Sequence, residues 1–223
     1  MRFTVTDDVR SLGVHGAYVV LEGIDNHRTP EALERHLNAL AERLEAELTP
    51  DFVATDPVLA GFRELHDAVG RSNRRFPSSA EALVTLFRRK RRMPRINPLV
   101  DLYNAVSLET RLSLGAHDLA KLQGGVTLKI ASGHERFVPL GGTVPEPIHA
   151  GEYVYVDDAD EVLCRLEHRQ CEKTRVDAET RACFCIVQGH RGTSETQLRG
   201  ALERLCSLAG AIWGARASQV WRA

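Results

Sequence analysis

Pro94-Arg95-Ile96-Asn97-Pro98-Leu99-Val100-Asp101-Leu102-Tyr103-Asn104-Ala105-Val106-Ser107-Leu108 is the pivot of the chain. Asn97 offers a side-chain oxygen to the free amides of a first helical turn, and Pro98 sits where a missing N–H is harmless. Leu99, Leu102, Tyr103 and Val106 then fall on one side of the helix. Asn97, Asp101, Asn104 and Arg111 stand at offsets of 0, 4, 7 and 14, which predicts a polar opposite side. Upstream the pattern is mostly helical. Thr29-Pro30-Glu31 reads as a helix start with Thr29 as cap, followed by Leu33, Leu37, Leu40, Leu44 and Leu48 at helical spacing. A second helix is expected from Asp56 to Val69, and a third, capped by Ser78 or Ser79, runs into Arg88-Arg89-Lys90-Arg91-Arg92. One early strand, Gly16 to Glu22, precedes them.

Downstream the period changes to that of strands. Val126–Ile130, Phe137–Leu140, Glu152–Val156, Val162–Leu166 and Ala182–Val187 are expected strands, with Gly124-Gly125, Gly133, Gly141-Gly142 and Asp157-Asp158 as turns. Thr193-Ser194-Glu195 opens a last helix through Leu198, Leu202, Leu205 and Ala209. Helices first, then strands, then one closing helix predict an α+β fold with a central, mostly antiparallel or mixed sheet and helices packed around it. With no repeat or linker in view, residues 1–223 read as a single domain.

The composition is that of a globular protein: 223 residues, 43% hydrophobic and 26% charged, which excludes disorder and collagen. No run approaches the roughly 18 apolar residues of a spanning helix, and the start lacks a signal peptide's apolar stretch, so a cytoplasmic protein is expected. Five cysteines with no C-x-x-C repeat read as reduced thiols. The net charge of −1 conceals a separation: residues 71–100 carry nine basic side chains and one acid, leaving −9 for the rest. Residues 151–180 hold nine acids against four bases. A concentrated basic stripe is the footprint of a polyanion binder, although a helix C-terminus also favours cations. Cys164, His168 and Cys171 are metal-type ligands at spacings of four and three, but a structural zinc takes four, so no metal is expected.

The 94–108 stretch resembles the entry to the B3/B4 domain, found in the β-subunit of bacterial phenylalanyl-tRNA synthetase and also as free-standing proteins. Gly115-Ala116-His117-Asp118-Leu119, Gly151-Glu152-Tyr153-Val154, and Glu172-Lys173-Thr174-Arg175-Val176 with Thr180 follow in the same order, giving a best-matching core of 93–187. The resemblance implies a B3/B4-like domain enclosing a pocket for an amino acid esterified to tRNA. It implies a trans-acting tRNA-binding protein that hydrolyses mischarged aminoacyl-tRNA. The family's glutamate falls on Glu172, its hydroxyl on Thr174, and its helix-entry arginine and asparagine on Arg95 and Asn104. This chain departs from the pattern at Gln170-Cys171, where the family has two glycines, and at Gly115, where it has a pocket histidine.

Such hydrolysis needs a phosphate-binding surface, an acyl pocket and a way to aim water, without a full nucleophilic triad. The expected RNA contacts are Arg88, Arg89, Lys90, Arg91 and Arg92. Glu172 is the expected water-orienting or ammonium-binding group, with His117 and His168 as further acid or base candidates. Arg95, Asn97, Asp101, Asn104 and Thr174 are expected to bind substrate, and Cys171 to shape the pocket. The expected partner is mischarged tRNA, with no cofactor, DNA or membrane. Two other functions fit the same residues: a non-catalytic tRNA-binding module, and a binder or hydrolase of a small amino-acid-like ligand. The latter requires the arginine run to be paired with the acidic segment.

Overall fold

In the computed structural model, residues 1–218 and the backbone of 221–222 are described. In chain order the elements are β1 (Phe3–Val5), α1 (Asp7–Ser11), β2 (His15–Glu22), α2 (Glu31–Glu47), α3 (Phe52–Thr55), α4 (Pro57–Ala68), α5 (Ser79–Lys90) and α6 (Pro98–Thr110). There follow β3 (Ser113–Asp118), β4 (Val126–Ile130), β5 (Tyr153–Asp157), β6 (Val162–Arg165), β7 (Arg169–Gln170), β8 (Ala182–Gly189), α7 (Glu195–Trp213), β9 (Arg216–Ala217) and β10 (Trp221–Arg222).

The α+β expectation holds, but the strands form two sheets rather than one. The central sheet has the order β10-β2-β8-β3, antiparallel throughout, with β9 also on β2. The outer sheet has the order β1-β4-β5-β6-β7 and is mixed, because β1 runs parallel to β4. Successive side chains of a strand point to opposite faces. On β2 and β8, Ala17, Val19, Leu21, Cys183, Cys185 and Val187 therefore pack under α2, α5, α6 and α7. Tyr18, Phe184 and Ile186, between them in sequence, pack against the outer sheet. The result is three layers: helices, central sheet, outer sheet.

Local signals set most helix ends. Ser78 caps α5 by accepting from Glu81 N, and Asn97 caps α6 by accepting from Val100 N at 3.0 Å. Ser194 and Gln197 form a reciprocal capping box on α7. Thr29 does not cap α2; the helix starts at Glu31, and the carbonyl of Pro30 receives the first-turn amides of Leu33 and Glu34. The helix α6 is not two-sided. Every residue from Pro98 to Leu108 is buried, since α2, α5, α7 and β3 surround it, so Asp101 and Asn104 lie inside the protein. The expected strand at Phe137–Leu140 is an extended loop with one isolated bridge, Pro139 to Cys171, because Pro139 has no N–H to continue a ladder. Among the described residues, no helix is long and apolar enough to cross a membrane.

Candidate functional site

The edge strands β3 of the central sheet and β7 of the outer sheet diverge, and α5 and α6 roof the gap. The cavity left there has a volume of about 410 Å³. Ala82, Leu83 and Leu86 of α5, Leu114 of β3 and Ile186 of β8 make its wall mainly apolar. Tyr155, Glu167, His168 and Gln188 contribute polar groups to the same wall. Tyr103, Leu140 and Gln170 also line a second, outer hollow of about 620 Å³. A third, of about 360 Å³, touches Leu86 of the inner cavity and Arg95 of the outer hollow.

Glu167 organises the inner wall. It sits in the β6–β7 turn, where Leu166 and Glu167 both have left-handed backbones, at φ of 53° and 41°. Side chains adopt that region at a cost, so surrounding contacts must hold the turn. They do: Glu167 accepts from Tyr153 OH at 2.6 Å, Gln188 Nε2 at 2.7 Å and His66 Nε2 at 2.7 Å. Burial alone would depress the His66 pKa, but the hydrogen bond and charge of Glu167 outweigh it and raise the pKa above its ordinary value. Sequence reasoning passed over Glu167. Its only linear signal was its place in Arg165-Leu166-Glu167-His168-Arg169, and its partners come from α4, β5 and β8.

Besides Glu167, the inner cavity is lined by Arg169, which donates to the Leu140 carbonyl at 3.0 Å, and by neutral polar groups, some of them with hydrogen-bonding capacity to spare. His168 lends Nδ1–H to the Pro77 carbonyl at 2.8 Å, leaving a lone pair on Nε2. Burial lowers its pKa, so the ring is neutral near pH 7. His117 bonds Thr174 Oγ1 through Nδ1 at 2.7 Å, and burial brings its pKa down to about 4. Among the described residues, the buried Ser113 Oγ has no partner, and neither the Asn104 amide nor the Tyr103 hydroxyl makes a hydrogen bond.

The expected site residues separate into groups. Asn104, His117 and His168 line the inner cavity, whereas Arg95, Asn97 and Asp101 line the outer hollow. Those three are already bonded: Arg95 Nε donates to Asp101 at 2.9 Å and its other nitrogens reach Glu34, while Asn97 caps α6. Cys171 and Thr174 are buried behind the wall, joined by a 3.1 Å contact from Sγ to Oγ1. Glu172 lines neither hollow. Its carboxylate pairs with Arg175 at 2.8 Å and accepts from Gly141 N at 2.8 Å, which latches the loop that carries Leu140 to the cavity. At this latch, Glu172 is a positioning group for the loop. The two sequence departures meet in space: a Cβ on Gly115 would stand 2.5 Å from Gln170 Nε2, so the room of a side chain at 115 is occupied from β7.

The basic run lies at the rim. The α5 helix lines the cavity with Ser79, Ala82, Leu83 and Leu86 and ends in Arg88, Arg89 and Lys90. Arg89 to Arg92 are exposed, and among the described residues none of Arg88, Arg89, Lys90, Arg91 or Arg92 has an ion-pair partner. All nine acids of residues 151–180 are instead paired with other groups, including Arg71, Arg165 and Lys173. Among the described residues, no group of three or more His, Cys, Asp and Glu is arranged to hold a metal ion.

The B3/4 domain family model matches residues 63–212, starting thirty residues before the core expected from the motifs. The phenylalanine–tRNA ligase beta subunit of Fusobacterium nucleatum is 33% identical over 92 residues, which are 41% of this chain and 11% of that protein. An N-terminal fragment of the phenylalanyl-tRNA synthetase beta-subunit from Pyrococcus horikoshii superposes with a TM-score of 0.52 at 15% identity. That superposition covers 97% of this chain and 50% of the fragment, and shows a shared fold. The chain thus spans half or less of each of these relatives.

Proposed function

The chain belongs to the B3/4 domain family, and from that premise we propose that it binds tRNA and hydrolyses the ester bond of mischarged aminoacyl-tRNA. The observation that carries this reading is that one helix, α5, walls the inner cavity and leads at its end into Arg88 to Arg92, which have no ion-pair partner among the described residues. A phosphate backbone held at that rim brings its 3′ end within reach of a mainly apolar hollow in which His168, Ser113 and Asn104 offer neutral hydrogen-bonding groups. The similarity to synthetase beta subunits supports the same substrate class.

In this reading His168 Nε2 takes a proton from water, and the oxygen adds to the ester carbonyl carbon. The ester C–O bond then breaks, the amino acid leaves with the new C–O bond, and the terminal ribose oxygen receives the proton. Ser113 and Asn104 supply neutral donors for the developing oxyanion. Glu172 acts one step away by holding Leu140 in place.

The test is release of amino acid from a panel of tRNAs charged with non-matching amino acids. His168→Ala should lower the rate about 100-fold or more, the usual reach of one acid–base group. Glu172→Ala should cost less and should act mainly on KM. No release by the wild-type protein from any charged tRNA would end this proposal. A second reading, a tRNA-binding module without turnover, is favoured by the engagement of Glu172 outside the cavity, and it predicts salt-sensitive binding with no release.

A further inference from the structure

We infer that Gln170 sets the specificity of the inner cavity: its carboxamide, housed over Gly115, is the partition that limits which acyl side chain fits. The inference rests on the proposed reading that this cavity receives an aminoacyl side chain.

Gln170 is the end residue of β7 and lines both the inner cavity and the outer hollow. Its backbone is fixed, because its carbonyl accepts from Leu140 N at 2.8 Å. The side chain is held much more loosely. Its Nε2 reaches the Ala116 carbonyl at 3.4 Å, near the limit of a hydrogen bond, and Oε1 has no partner. The carboxamide thus spans from the edge of the outer sheet to the edge of the central sheet. It can do so because position 115 has no Cβ: one built there would lie 2.5 Å from Nε2 and 3.7 Å from Cδ.

The two other residues shared by both hollows are Tyr103 and Leu140. Tyr103 is locked into α6 within the core, and Leu140 belongs to the loop latched by Glu172. Gln170 is the member of the three that lies outside the core clusters on a flexible side chain, its end held by one long hydrogen bond. Removing it opens the inner volume of about 410 Å³ toward the outer one of about 620 Å³. Adding a Cβ at 115 displaces the carboxamide without touching any other group near that position.

The test uses L-alaninamide, L-leucinamide, L-phenylalaninamide and L-tyrosinamide as probes, with dissociation constants from chemical-shift titration of the full chain. Gln170→Gly should improve binding of the bulkiest amides relative to alaninamide by about tenfold, the scale at which pocket volume discriminates side chains. Gly115→Ala should change the ranking in the wild-type background and leave it unchanged in the Gln170→Gly background, where nothing remains to displace. Thermal melting of each variant confirms that it is folded; Gln170→Ala replaces any variant that is not. An unaltered ranking, an equal effect of Gly115→Ala in both backgrounds, or no amide binding to the wild-type protein would each overturn the inference. The amides carry no tRNA, so a failure of editing on charged tRNA leaves this result readable on its own.

Discussion

Replacing Glu167 by Gln removes one charge from the buried wall while keeping its shape, and the consequence can be worked out from the contacts of His66. In the native protein His66 has its pKa raised, because the Glu167 oxygen at 2.7 Å outweighs the effect of burial. A raised folded pKa means that the pair's stabilisation is fully present below the unfolded histidine value of about 6.5 and is lost as pH rises through the folded value. With Gln at 167 burial is opposed only by the backbone hydrogen bonds to Leu166 and Phe76, so the His66 pKa falls and the stability lost on the alkaline side shrinks. The slope contributed by one such group is at most about 1.4 kcal/mol per pH unit. Through a urea m-value of about 1–3 kcal/mol per molar, that moves the unfolding midpoint by at most about 0.5–1.4 M per unit. His36, His117, His168 and His190 all have lowered pKa values and act on the acid side, while burial raises the thiols of Cys164 and Cys206, and the Cys183 contact together with burial raises that of Cys185, so these act only above about pH 8.5 and equally in both proteins. Urea unfolding of both proteins at intervals from about pH 5.5 to about 9 reads the difference. Glu167→Ala is the harsher control. It strands the Tyr153 hydroxyl and Gln188 Nε2 and leaves His66 Nε2 only the Leu166 carbonyl at 3.3 Å, and a broken buried pair costs about 3–5 kcal/mol. Midpoint profiles for the native and Gln proteins that superimpose across the range would refute the reasoning.

The folded His117 is held neutral with its pKa lowered from 6.5 to about 4, so the unfolded chain binds a proton first as pH falls. The native protein should therefore lose about 3 kcal/mol between those values, and His117→Gln should remove that loss, as acid unfolding curves would record. Changing Arg88, Arg89, Lys90, Arg91 and Arg92 together to Ser should leave thermal stability nearly unchanged, since none is ion-paired, yet flatten the salt dependence of tRNA binding. If all five contact phosphates, the log–log slope should fall by about 3.5–4.5, measured by filter binding across salt concentrations. Arg91 caps α5 with a left-handed φ of 54°, so Arg91→Gly should stabilise the protein by about 1 kcal/mol in urea unfolding.

What could be read from the sequence was what neighbouring residues decide among themselves. Ser78, Asn97 and Ser194 announce their helices because a cap acts within three residues. The alternating Cys183 and Cys185 announce a strand face for a similar reason. The β3 strand was missed because Ser113-Leu114-Gly115-Ala116-His117-Asp118 has no β-branched residue; it is a strand because β8 pairs with it along its full length. The burial of Asp101 and Asn104 was equally hidden, since a polar stripe on a helix looks the same whether water or three neighbouring elements cover it. The resemblance located the family and two pieces of cavity wall, Tyr103-Asn104 and the Gly115 to His117 stretch. It could not locate Glu167, whose role exists only once α4, β5 and β8 converge on the β6–β7 turn.

The distribution of charge over the site follows from the cost of burying it. A free charge inside a cavity walled by leucines must be desolvated, so the one carboxylate there is surrounded by three donors and the two histidines are neutral. The free cations stay in water at the end of α5, where the helix dipole also favours them. Under the proposed function, a ligand suited to this arrangement carries its negative charge on one end and a neutral, partly apolar group on the other, separated by about the length of the α5 segment from Leu83 to Lys90. On the same proposal, a free amino acid has no polyanionic end to meet Arg88 to Arg92, and a tRNA without an attached amino acid lacks the acyl side chain that the wall of Leu83, Leu86 and Ile186 would receive. Joining the two by an ester satisfies both regions at once. For that reason the pairing of cavity and cations on a single helix weighs more in the functional argument than either feature taken alone.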